Sequence, residues 1–87
     1  MFFEWDQKKD RKNRKNHGIS FSTAKFVFND SERWERFDSA HSENEDRWQT
    51  LGLVEKVLFV VYSEQGETIR IISARIADEK ERRIYIW

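Results

Sequence analysis

The sequence predicts an α+β fold: a twisted antiparallel sheet of three to four strands plus a short N-terminal strand, flanked by two N-terminal helices and one C-terminal helix. Three observations support this prediction: a β-rich hairpin at residues 57–75, a polar helical segment near the N-terminus, and a helix-capping pattern near the C-terminus. The chain has 87 residues and no cysteine or proline. We therefore expect one domain, residues 1–87, without disulfides or thiolate metal ligands.

The hairpin is the clearest secondary-structure signal. Residues 57–62 are apolar without alternation, which is typical of a central strand covered on both faces. Residues 63–67 have turn composition, and Gly66 can adopt the positive φ that short hairpin connections use. Residues 68–75 form the second predicted strand.

Two arginines lie on the second strand of this hairpin. Arg70 and Arg75 are five residues apart, so a regular strand would direct them to opposite faces. We expect them to share a site only if a bulge near Ser73 or Ala74 interrupts the alternation. In a regular strand, one of the two arginines would have a structural role.

The N-terminal segment predicts a short strand followed by a polar helix. Residues 2–5 are mostly aromatic and suit a strand. Asp6 is a suitable N-cap, and Gly18 is placed to end a helix over residues 7–16. Because this helix lacks an apolar stripe, it should lie at the surface or line a site.

One face of the polar helix carries Lys9, Asn13 and His17 at intervals of four residues. Such a face is either a wall for an anionic ligand or a solvated stripe, and the spacing alone favours the second interpretation.

The other predicted elements are a helix over 23–28 capped by Ser20 or Ser22, a strand over 33–38, a loop over 39–43, a strand over 46–53, and a helix over 79–85 that begins with the D-x-x-E pattern of Asp78 and Glu81.

Charge is segregated along the chain although the net charge is zero. Residues 6–17 contain six basic and two acidic side chains, a net charge of +4, whereas residues 30–46 contain seven acidic and two basic side chains, a net charge of −5. Two interpretations are open at this point. The segments face different partners, or they are two solvated surfaces that attract each other.

The polar residues are sufficient for RNA cleavage without a metal. That reaction needs a base for the 2′-hydroxyl, cations for the crowded phosphorus, and an acid for the leaving 5′-oxygen. Structural roles compete with this hypothesis, since arginines can pair with the acidic stretch, a tyrosine can be a core residue, and a histidine beside an aspartate can fasten a loop. The candidates are His17, Asp38, His41, Glu45, Arg47, Tyr62, Arg70, Arg75, Arg82 and Tyr85.

These residues, taken in order, resemble the BrnT toxin family. The specific segments are HGISF at residues 17–21 and IRIISAR at residues 69–75. Weaker matches are FEWD at 3–6, VVY at 60–62 and single residues between them. The chain departs from the family pattern at Asn16, where lysine is usual.

The resemblance implies a RelE-like fold and a ribonuclease that halts translation. It also implies a cognate BrnA-type antitoxin as partner, with operator DNA bound only through that antitoxin. From the resemblance and the chemistry together, we expect catalytic roles for His17, Glu45, Arg47, Arg70, Arg75 and Tyr85, and substrate-binding roles for Lys9, Asn13, His41, Tyr62 and Arg82. His17 or Glu45 would be the base and Tyr85 or His41 the acid, with no metal and no cofactor.

Two other functions are consistent with the same sequence. One is a catalytically inactive interaction module that binds the antitoxin without cutting RNA. The other is a nucleic-acid binder that uses the basic face of residues 8–15. With no apolar stretch long enough for a signal peptide or a membrane span, a cytoplasmic protein is expected.

Overall fold

The computed structural model describes residues 1–86, which form an α+β structure with a five-stranded mixed sheet and three helices. Two short 3-10 segments, Lys25–Asn29 and Ser39–His41, complete the fold. The elements in chain order are β1 Phe2–Glu4, α1 Gln7–His17, α2 Phe21–Ala24, β2 Trp34–Phe37, β3 Trp48–Val54, β4 Lys56–Gln65, β5 Thr68–Ile76 and α3 Glu79–Ile86.

The sheet has the strand order β1-β5-β4-β3-β2. Strands β2 to β5 are antiparallel to their neighbours, but β1 runs parallel to β5. The sheet is therefore mixed: the sequence predicts an antiparallel sheet plus a short N-terminal strand, and it is this strand, β1, that pairs in parallel. Strand direction at β1 depends on where the last strand of the chain lies, which local sequence patterns do not indicate.

The β4-β5 hairpin is tighter than the sequence indicates. Its turn consists of Gly66 and Glu67 alone, and Gly66 has a φ of 59°. Residues 63–65, which were expected in the turn, continue the ladder opposite residues 68–70. The polar residues Glu64 and Gln65 therefore reflect exposure and not the end of pairing, whereas Ser63 is buried.

Strand β5 contains a bulge at Ile72. Val61 of β4 lies opposite Ser73, whereas the next residue, Tyr62, lies opposite Ile71. Ile72 is the extra residue in this register, one position before the bulge expected near Ser73. The bulge shifts the alternation of β5 by one residue.

The bulge brings Arg70 and Arg75 to the same face of the sheet. Arg75 lies opposite Phe59, and Arg70 lies opposite Ser63. Residues 59 and 63 of β4 are separated by an even number of positions and therefore point to the same side. We call this side, marked by Gln49, Phe59, Val61, Ser73 and Arg75, the open face.

The other side of the sheet carries the hydrophobic core. Ser20 caps α2 by accepting a hydrogen bond from the Thr23 amide at 3.1 Å, and the helix continues as a 3-10 segment. The helix predicted over residues 23–28 thus begins earlier and is α-helical only in its first turn. The buried cluster consists of Phe21, Ala24, Val27, Leu58, Val60, Tyr62, Ile69, Ile71 and Ala74.

Helix α1 is attached to the sheet by polar side chains. The Asn13 amide donates to the carbonyl oxygens of Ala74 at 2.7 Å and Ile19 at 2.8 Å, and its oxygen accepts from the Ala74 N–H at 3.1 Å. Asp10 accepts from the buried Phe21 N–H at 2.8 Å. These two residues are the buried positions of α1, so hydrogen bonds replace the missing apolar stripe.

Helix α3 crosses the open face over β3 and β4. The predicted capping box is confirmed: Asp78 accepts from the Glu81 N–H at 2.8 Å, and Glu81 accepts from the Asp78 N–H at 2.9 Å. The same Glu81 carboxylate binds Arg75, which joins the start of α3 to β5.

We expect Asn13→Ala to lower the free energy of unfolding by about 1 to 3 kcal/mol, because it leaves buried backbone groups of Ala74 without a partner. Chemical denaturation measures this change. Asn16→Ala, at an exposed position of the same helix, is the matched control and should alter stability by less than about 0.5 kcal/mol. Equal stability of the two variants would contradict the bridging role of Asn13.

We also expect Gly52→Ala to destabilise the protein by about 1 to 3 kcal/mol through overpacking. A Cβ atom at Gly52 would lie 2.6 Å from Val27 Cβ and 3.1 Å from the Val27 carbonyl oxygen. The 3-10 segment would have to move away from β3 to accept it. Thermal unfolding measures the loss, and an unchanged midpoint would show that the segment moves without cost.

Candidate active site

A depression of about 270 Å³ lies on the open face between the 3-10 segment Ser39–His41 and strand β5. Side chains from four separate elements meet there: the 3-10 segment and strands β3, β4 and β5. Its lining is Asp38, His41, Arg47, Gln49, Phe59, Val61, Ile72 and Ser73.

A second depression, of about 180 Å³, adjoins the first at the edge of β5. Ile72 and Ser73, at the bulge, line both. The α1 face predicted from the four-residue spacing lies here, with Lys9, Asn13 and His17 among the lining residues. The structure thus connects that face to the open face through the bulge.

A third depression, of about 520 Å³, is formed by the loop before β3. It contains Glu45 and shares His41 and Arg47 with the first depression. His41 and Arg47 therefore lie where the loop depression and the open face meet. This position gives them access to a ligand from both sides.

Asp38 and His41 form a hydrogen-bonded pair. The His41 Nδ1 atom lies 3.2 Å from both carboxylate oxygens of Asp38. Burial raises the pKa of Asp38, but hydrogen bonds from His41 and Gln49 outweigh it and hold the pKa below its usual range. Asp38 is therefore an ionised acceptor at neutral pH that fixes the ring, while the exposed His41 presents its Nε2 atom to the depressions.

Arg47 is paired weakly. Its Nε atom lies 3.8 Å from Glu45 Oε1, too far for a hydrogen bond. Within residues 1–86, this Nε atom is buried and has no hydrogen-bond partner. Because no hydrogen bond to Glu45 holds the Arg47 guanidinium, it can turn toward an added acceptor such as a phosphate oxygen.

Arg75 is held more firmly. Its two terminal nitrogens donate to the two Glu81 carboxylate oxygens at 2.7 and 2.8 Å, and its guanidinium lies 4.3 Å from the centre of the Phe59 ring. The hydrogen bonds to Glu81 raise the pKa of Arg75 despite its partial burial. This cation is thus fixed over a residue that forms part of the floor of the first depression.

Arg70 and Tyr62 are not brought to these depressions. Arg70 lies at the β1 edge and donates to Glu4 at 2.6 Å. Tyr62 is fully buried in the core, packs edge-on against Phe28, and donates to Glu35. Burial raises the pKa of Tyr62 well above its usual range, as does the bond to Glu35. Tyr62 therefore has the core role that the sequence analysis gave as an alternative.

Tyr85 and Arg82 form hydrogen bonds outside these three depressions. The Tyr85 hydroxyl donates to Asp30, which raises the pKa of Tyr85 to about 12. Asp30 also accepts from the Leu53 N–H at the end of β3, so Tyr85 anchors α3 to that end of the sheet. Arg82 donates to the Ala77 carbonyl oxygen at 3.1 Å in the connection before α3.

Gln49 and Ser73 had no predicted site role, and Asp38 was a candidate for RNA cleavage without an assigned catalytic or binding role. For Gln49 the sequence has a usable signal, because alternation in a strand over 46–53 places Gln49 and Trp48 on opposite faces. The position of Ser73 depends on the bulge, which no residue of the sequence specifies.

The structure also bears on metal binding and membrane insertion. Within residues 1–86, no group of three or more histidine, aspartate or glutamate side chains is arranged to hold a metal ion. Among the helices described, none is long and apolar enough to cross a membrane.

Comparison with known proteins identifies the family. A search of curated proteins gives no match. A family model described as the ribonuclease toxin BrnT of type II toxin-antitoxin systems matches residues 5–81, a span that includes His17, His41, Arg47 and Arg75. The resemblance seen in the sequence is thereby confirmed, and the chain belongs to the BrnT family of ribonuclease toxins.

Proposed function

We propose that this protein is a metal-independent endoribonuclease toxin that inhibits translation and is neutralised by a BrnA-type antitoxin. Family membership implies an RNA target and an antitoxin partner. We further propose that the single domain has a RelE-like fold and that the protein contacts operator DNA only through the antitoxin. The observation that carries it is the Asp38-His41 pair beside Arg47, at the junction of two depressions.

Glu45 is the proposed base. The sequence left His17 and Glu45 as alternatives, but Glu45 shares a depression with His41 and Arg47, whereas His17 lines the depression next to α1. A carboxylate there takes the proton of the RNA 2′-hydroxyl, and the 2′-oxygen then attacks the adjacent phosphorus. The Glu45 carboxylate lies 3.8 Å from Arg47 Nε without a hydrogen bond to it, so its oxygens can accept this proton.

His41 is the proposed acid. With Nδ1 bound to Asp38, the charged ring donates its Nε2 proton to the leaving 5′-oxygen as the P–O5′ bond breaks. The products are a 2′,3′-cyclic phosphate and a 5′-hydroxyl. Tyr85 was the alternative acid, but its hydroxyl is bound to Asp30 and its pKa is raised to about 12.

Arg47 and Arg75 are the proposed phosphate ligands. Both bring positive charge to the open face, and Arg47 has a buried N–H without a partner among residues 1–86. Cations fixed before the reaction stabilise the charge that develops on the phosphorane oxygens. Arg70, paired with Glu4 at the sheet edge, has a structural role in this proposal.

We expect the purified protein to cut RNA in EDTA and to leave cyclic phosphate ends. His41→Ala should reduce kcat by about 10² to 10⁴, the usual contribution of an acid or base, and Glu45→Gln should reduce it similarly. Added imidazole should restore part of the activity of His41→Ala. Cleavage rates of labelled RNA measure the changes in kcat, and analysis of the product ends identifies the cyclic phosphate.

The matched control is Glu43→Gln, in the same loop as Glu45 and without an ion pair to Arg47. It should cleave like the unaltered protein. RNA that stays intact during long incubation, with tight antitoxin binding, would instead identify an inactive interaction module. Activity of His41→Ala equal to that of the unaltered protein would remove His41 from the mechanism.

We expect expression of the protein without antitoxin to arrest growth and Arg75→Ala to relieve the arrest. Arg75→Lys separates charge from geometry, because lysine retains the positive charge but cannot form the two-pronged pair with Glu81. Growth relief with both variants, together with unchanged circular dichroism, would show that the guanidinium geometry is needed. Undiminished toxicity of Arg75→Ala would exclude Arg75 from phosphate binding.

A further inference from the structure

The exposed lysines of α1 differ from the arginines of the open face in their pairing. Lys9 and Lys12 are exposed and line the depression between α1 and the bulge. Within residues 1–86, the ion pair formed by α1 is that of Arg14 with Asp10, at 3.5 Å. The positive charge of Lys9 and Lys12 is therefore directed to solvent.

Each of the three arginines for which the sequence predicts a catalytic role has a carboxylate neighbour. Arg70 pairs with Glu4 at 2.6 Å, Arg75 with Glu81 at 2.7 Å, and Arg47 lies 3.8 Å from Glu45. Paired charges largely cancel at a distance, since each carboxylate opposes the field of its partner. Residues 6–17, with a net charge of +4 and one ion pair among residues 1–86, are therefore the main concentration of positive charge for long-range attraction of a polyanion.

Part of the acidic segment lies at the edge of the sheet opposite α1, whereas Asp38 and Glu45 of the same segment line depressions at the open face. Residues 30–46 include β2, the edge strand farthest from β5 and α1 in the strand order. No ion pair joins residues 6–17 to residues 30–46 in the part of the chain that the structure describes. The interpretation that the two charged segments attract each other therefore has no contact to support it, and the interpretation that they face different partners is favoured.

We infer that Lys9, Lys12 and His17 form a phosphate track that binds the RNA backbone next to the linkage being cut. This inference rests on the proposed ribonuclease function. A strand whose scissile phosphate lies at His41 and Arg47 reaches α1 by crossing Ile72 and Ser73, which line both depressions. RNA, not an acidic protein segment, is favoured because the lysines line a concave surface continuous with the catalytic groups.

The test uses two double variants with the same charge change on the same helix. Lys9→Gln/Lys12→Gln alters the track, whereas Lys8→Gln/Lys15→Gln alters exposed lysines that do not line the depression. The probe is a fluorescent single-stranded 2′-O-methyl RNA, which cannot be cut because its 2′-oxygen is blocked. The slope of log Kd against log salt should become shallower by about 1.4 for the track variant, about 0.7 for each lost contact, and should change less for the control.

Cleavage kinetics give a second readout. The track variant should raise KM for cleavable RNA and leave kcat within about twofold, because its lysines do not contact the reacting atoms. Equal effects of the two double variants, or none, would overturn the inference, as would a loss of antitoxin affinity with RNA affinity unchanged. If the unaltered protein binds the probe through the track yet leaves RNA intact, the proposed function fails and the binding track stands.

Discussion

The fold depends on how the edge of β5 is closed. Strand β1 pairs with β5 only at residues 68–70, so beyond them the edge of β5 that faces away from β4 has no strand beside it. Asn13 supplies the missing donor and acceptor, because its amide binds both the C=O and the N–H of Ala74. Helix α1 thus takes the place of a strand, which satisfies the buried backbone and sets its basic face against the bulge.

The bulge at Ile72 gives this arrangement its functional consequence. A regular β5 would direct either Arg70 or Arg75 into the core, where an unpaired guanidinium is costly. With the extra residue, Ile71 and Ala74 remain in the core while Arg75 lies on the open face. The bulge therefore preserves the hydrophobic packing and places the Arg75 guanidinium above Phe59. It also places Ser73 between the two depressions.

Sequence reasoning located most elements and fewer of the site contacts. Local signals were sufficient for the Asp78 capping box and for the faces of β3, since capping and alternation involve neighbouring residues. The positive φ of Glu55, 64° in the connection between β3 and β4, was not predicted because no glycine or asparagine marks it. Asn13 was placed in a binding face because its spacing matches Lys9, yet its partner Ala74 is 61 positions away. A contact between residues so far apart in the sequence leaves no local pattern.

The pairing of Arg75 with Glu81 suggests different roles for the arginines and the lysines in binding RNA: one kind of cation positions the phosphate, and the other attracts the strand. The bidentate pair and the Ile76 carbonyl engage three of the five guanidinium protons, so the Nε–H and one terminal N–H remain for a phosphate. A fixed cation loses little side-chain entropy when it binds a ligand, but its neutralised field attracts that ligand weakly. Mobile, unpaired lysines have the opposite properties. The positions of the two kinds of cation on either side of Ile72 and Ser73 therefore suit a sequence of events in which α1 captures the RNA backbone and the arginines orient the phosphate that reacts.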